Sequence, residues 1–74
     1  MEVYVAIDSQ VGEVLGVCMS EELALRTIVL SAIRQNLSLS GTKEEKSKYD
    51  STCTYITIEG YEYMIVEREL VEEE

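Results

Sequence analysis

The sequence predicts an α+β fold of order ββαββ, with one helix packed on a four-stranded, mainly antiparallel sheet. Three observations predict it. Apolar residues alternate in EVYVAID and again in TCTYITIEG, which is the period of a strand. Glycine closes a turn in each half, Gly12 after Ser9-Gln10-Val11 and Gly60 after Glu59. Between the halves, from Ser20 to Asn36, apolar residues recur at helical spacing.

Residues 2 to 18 read as a β-hairpin. In the first strand Val3, Val5 and Ile7 point one way while Tyr4 and Ala6 point the other. Val14, Leu15 and Val17 give the returning strand, Glu13 to Cys18, its bulk. Ser20 is a good N-cap, because its hydroxyl can accept from free amides of the first turn. Glu21 and Glu22 follow, where the helix dipole favours negative charge. On a helical wheel Leu25, Ile28, Val29, Ala32 and Ile33 form a broad stripe assigned to the sheet. Leu23, Leu30 and Leu37 form a second stripe, about 140° away. One sheet needs only one stripe. The second is expected at a homodimer interface, with a covering loop or a wide core as the alternatives.

Residues 38 to 51, SLSGTKEEKSKYDS, hold every lysine: Lys43, Lys46 and Lys48. They read as a polar surface connection, with room for a short helical turn over 42 to 49. Strand character returns at residue 53, with Thr54, Ile56 and Ile58 on one face and Cys53, Tyr55 and Thr57 on the other. Glu59-Gly60 makes a tight turn into the fourth strand, Tyr61 to Leu70. That strand is apolar on both faces, as a central strand covered twice would be. The chain is expected to form one domain over 1–71, with an acidic disordered tail at 72–74.

Composition limits the function. The chain has 74 residues, 15 of them acidic and 6 basic, for a net charge of -9. A positive phosphate-binding face is not expected on that balance, and no direct nucleic-acid partner is expected. Residues 59 to 74 carry seven glutamates against Arg68 alone. Acid of that density suits a protein partner with a basic groove. There is no His, and the two cysteines, Cys18 and Cys53, lack metal-ligand spacing. No metal, cofactor or disulfide is expected. No apolar run reaches the ~20 residues of a membrane span, and the N-terminus lacks signal-peptide character, so a cytoplasmic protein is expected. A nucleophile without an imidazole, and lysines confined to the most polar stretch, argue against an enzyme.

Four segments carry a resemblance: EVYVAID, GEVLGVCMS, SEELALRTI and YEYMIVERELVE. Across residues 2–30 and 61–72 the chain resembles small accessory domains of phages and their bacterial hosts. The resemblance implies an accessory protein of a virus or mobile element, of a kind that often inhibits host or defence machinery. It brings no catalytic residues with it. The expected function is therefore a small acidic binding protein that inhibits or adapts a larger partner. Tyr55, Tyr63, Glu67 and Glu69 are the expected partner contacts, and Leu23, Leu30 and Leu37 the dimer contacts. Two alternatives stand beside it: a dimer that sequesters a small ligand such as a nucleotide, and a structural oligomerisation module.

Overall fold

The computed structural model describes residues 1–70. Five strands and one α-helix follow in the order β1 (Glu2–Asp8), β2 (Glu13–Cys18), α1 (Glu21–Arg34), β3 (Lys43–Lys46), β4 (Cys53–Ile58) and β5 (Tyr61–Glu69). A single 3-10 turn, Leu39–Gly41, precedes β3. The strands form one sheet of order β2-β1-β5-β4-β3. All four neighbouring pairs are antiparallel. The α+β class, with one helix on an antiparallel sheet, is as the sequence predicts, but the sheet has a fifth strand. It lies in the stretch read as a polar connection. Lys43-Glu44-Glu45-Lys46 pairs with Thr54–Thr57 of β4, and all four of its residues are exposed. A strand exposed on both faces has no apolar alternation to betray it. The short helical turn for which residues 42 to 49 have room does not form. The tail expected at 72–74 lies outside the described residues.

The first hairpin turns on Asp8. Its Oδ1 accepts from the backbone amides of Gln10 (3.0 Å) and Val11 (3.4 Å), and its Oδ2 accepts from the Tyr61 hydroxyl at 2.7 Å. Gly12 then takes φ +71, which a residue without Cβ adopts freely. The second hairpin is tighter. Glu59 (φ 50) and Gly60 (φ 78) are both left-handed, the geometry whose twist matches that of the flanking strands.

The helix starts where the sequence places it, with Ser20 Oγ accepting from Leu23 N at 3.2 Å. It stops earlier than expected. Asn36 adopts φ 60, and the Leu37 amide reaches back to the Ala32 carbonyl at 3.0 Å. This left-handed cap reverses the chain and folds Leu37 onto the core. Leu37 therefore does not continue the stripe of Leu23 and Leu30, contrary to its seven-residue spacing.

The core lies between α1 and one sheet face. Ala6, Ala24, Ile28, Ala32, Ile56, Ile58 and Tyr63 have no exposed surface. Alanines on both sides let the helix sit close to the sheet. Burying a side chain of the size of Ile28 contributes about 1.5–3 kcal/mol. The structure settles which set of β1 meets the helix. Ala6 and half-buried Tyr4 point to the helix, so Val3, Val5 and Ile7 point away from it. On the helix, Ile33 is 52% exposed rather than buried against the sheet.

Candidate functional site

β5 is the middle strand of the sheet, and its register decides what each face carries. Ala6 pairs with Ile65, and Tyr63 pairs with Ile56, so these residues share the helix side. Their neighbours in sequence share the other side. There β1 contributes Val3, Val5 and Ile7, and β5 contributes Met64 and Val66. β4 adds Cys53 and Tyr55, opposite Val66 and Met64. β2 adds Val14 and Val17, opposite Ile7 and Val5. This apolar surface crosses four strands, and among the described residues no element lies over it. Its centre is already tightly knit: Val3, Val66 and Cys53 are each under a tenth exposed, shielded by one another and their neighbours. Cys53 Sγ donates to Met64 Sδ at 3.4 Å. Its outer members, Val14, Val17 and Tyr55, remain open to solvent.

The charges on this face balance. Lys43 and Arg68 stand with Glu45 and Glu62 around the apolar centre. Elsewhere the -9 of the chain dominates. Glu2, Glu67 and Glu69 meet on the helix side, where β1 and β5 pair. A hydrogen bond with Glu67, and repulsion from it, hold the Glu2 carboxyl above its ordinary value. The Glu67 charge likewise raises the Tyr4 phenol, whose hydroxyl donates to Glu67 Oε1 at 3.4 Å.

The expected contact residues are thus divided. Tyr55 stands on the open face, 37% exposed. Glu67 and Glu69 belong to the opposite face, so the three do not come together. Tyr63 is corrected outright: it is wholly buried under α1, and its hydroxyl accepts from Gln35 Nε2 at 2.9 Å. Alternation along β5 had two possible phases. The phase that puts Tyr63 inward also seats Ile65 against the helix and leaves Met64 and Val66 outside. Sequence reasoning missed Val3, Val5, Ile7 and Val66 as members of the uncovered face. The available signal was β5 itself, apolar on both faces where the sequence offers one helical segment to cover it.

Among the described residues no group of three His, Cys, Asp or Glu could hold a metal ion. The cleft beside Tyr4, Glu21, Thr54 and Glu67 offers about 10 Å³, the space of one water. The larger depressions, ≈ 550 Å³ beside Lys43, Tyr55 and Glu62 and ≈ 410 Å³ beside Tyr49, are open surface, not enclosed cavities. No described helix is long and apolar enough to cross a membrane. No family model, curated protein or solved structure matches the chain.

Proposed function

We propose that this is a non-catalytic binding protein that holds a protein partner on the uncovered face of its sheet, as an accessory factor that inhibits or adapts that partner. One observation carries the reading: a face apolar across four strands, with balanced charge at its margin, lies uncovered on an otherwise strongly acidic molecule. An apolar centre ringed by mixed polar groups is the anatomy of a protein–protein contact. Exposed apolar surface of this continuity marks such sites on small proteins. A phage or mobile-element origin, with host or defence machinery as the target, rests on the resemblance of the four sequence segments alone. The small-ligand alternative needs an enclosed pocket, and on a single copy the depressions are open.

The test compares two forms of the chain as bait in lysate of the natural host. Wild type is expected to retain a specific protein. Met64→Lys, which plants a charge at the centre of the face, is expected to lose at least nine-tenths of it while keeping its circular dichroism spectrum. Equal retention by both forms, or none by either, overturns the reading.

A further inference from the structure

The two edges of the sheet differ. β3 presents Lys43-Glu44-Glu45-Lys46, a run of charge that repels a further strand. β2, at the opposite edge, has Glu13 as its sole charge. Val14 (58%) and Val17 (64%) are exposed on it, with Met19 just beyond. The backbone groups along that outer edge form a template on which another extended strand can pair.

The bulge in β2 shows which strand fits. Ala6 pairs with Gly16 and Ile7 with Val14, so Leu15 is an extra residue. Leu15 packs against the core beside Gly16, so both lie on the helix side. Glu13 and Cys18, opposite Asp8 and Tyr4, lie there too, while Val14 and Val17 lie on the open side. The order of facing along β2 is helix, open, helix, helix, open, helix. It reads the same in both directions. A bulge can also bend an edge out of reach, but here it makes the edge self-complementary.

We infer that two copies pair β2 to β2 across a two-fold axis between Leu15 and Gly16, forming one continuous sheet. In this register Val14 meets Val17 of the second copy, Leu15 meets Gly16, and Glu13 meets Cys18. Every pair shares a face, and the bulky Leu15 stands against the residue with no side chain. Axes through Leu15 or Gly16 would set Val14 against residues on the wrong face. An unbulged strand would fail in the chosen register, because residues three apart point to opposite sides.

The helices agree with this placement. α1 lies over β1 and β2 alike. With strands ~4.8 Å apart, the two-fold axis sets the two helices about 10 Å apart, an ordinary packing distance. The flank that each turns to the other carries Leu30, which borders a cleft with Leu15, Thr27 and Arg34. Leu30 is 51% exposed and Leu23 44%. Pairing covers both. Charge permits it as well, since Arg34 borders Leu15 at this edge while Glu2, Glu67 and Glu69 lie where β1 meets β5, away from it.

Glu13→Cys tests the register. Within one chain residues 13 and 18 are five apart along a strand, roughly 16 Å, beyond the ~4.4–6.8 Å that a disulfide spans. Between copies they are directly opposed. Mild oxidation is expected to give a covalent species of twice the chain mass, with a peptide map joining residues 13 and 18. Glu13→Cys combined with Cys18→Ser should lose it, and Glu45→Cys on the β3 edge should never form it. Independently, Leu30→Glu is expected to halve the mass of the wild-type species in sedimentation without loss of helix signal. A wild-type monomer at high concentration overturns the inference. So does a dimer that resists Leu30→Glu and the cross-link but dissociates with Met64→Lys, because the copies would then stack through their open faces. A wild-type monomer leaves capture of a foreign partner untouched, whereas stacked open faces would put a second copy on the surface proposed for that partner; the lysate comparison reads capture separately.

Discussion

Tyr63 and Tyr55 sit on paired strands, β5 and β4, yet the helix hides one completely and leaves the other 37% exposed. The faces they represent are built from similar material: Ala6, Ile56, Ile58 and Ile65 on one, Val3, Val5, Ile7 and Val66 on the other. Both are apolar enough to be cores. The described residues supply one helix to lay across them, and it covers one. The comparison teaches that apolarity does not separate a core from a contact surface in so small a domain. Cover does, and cover is set by topology.

The largest effect should come from the covered face. Tyr63→Ala empties a fully buried site and strands Gln35, at an expected cost of about 3–5 kcal/mol, read from the urea midpoint. Tyr63→Phe removes only the hydroxyl and should cost about 1 kcal/mol. On the uncovered face Tyr55→Ala should shift the same midpoint by less than about 0.5 kcal/mol, the scale of a surface change. A large loss there would mean that the open face is already serving as core. The smallest effect concerns the acidic meeting of β1 and β5. Glu2 is held above its ordinary value by Glu67, so over that window the folded state binds a proton that the unfolded chain does not. Stability contributed there falls as pH rises through the window and returns on acidification. The melting temperature should rise slightly as pH drops from neutral toward the ordinary glutamate value. Glu2→Gln should flatten that rise.

Much of the fold is legible residue by residue. Gly12, Ser20 and the Glu59-Gly60 pair each sit where backbone chemistry demands them, and all three features are where the sequence places them. The inward set Thr54, Ile56 and Ile58 is also read correctly. What fails is the choice between equivalent options. Alternation divides β1 into two sets but does not say which one meets the helix; the answer lies in Ala24 and Ala32, whose small side chains favour Ala6 opposite them. The end of α1 turns on one left-handed asparagine, which a helical wheel does not see. β3 escapes notice because its four residues touch no core. Of the candidate site, Tyr55 is recoverable from alternation, and the valines beside it are not, since they look like core.

β3 joins the sheet through β4 alone and buries none of its own side chains. Beyond it the chain rounds a tip where Tyr49 is completely exposed. Amides of Lys43–Lys46 should exchange with deuterium far ahead of those of β1 and β5, because this ribbon can peel off without opening the interior. The tip is accordingly the place to graft a fluorophore or a fused domain, which would ride on the molecule without disturbing either the bare face or the opposite edge.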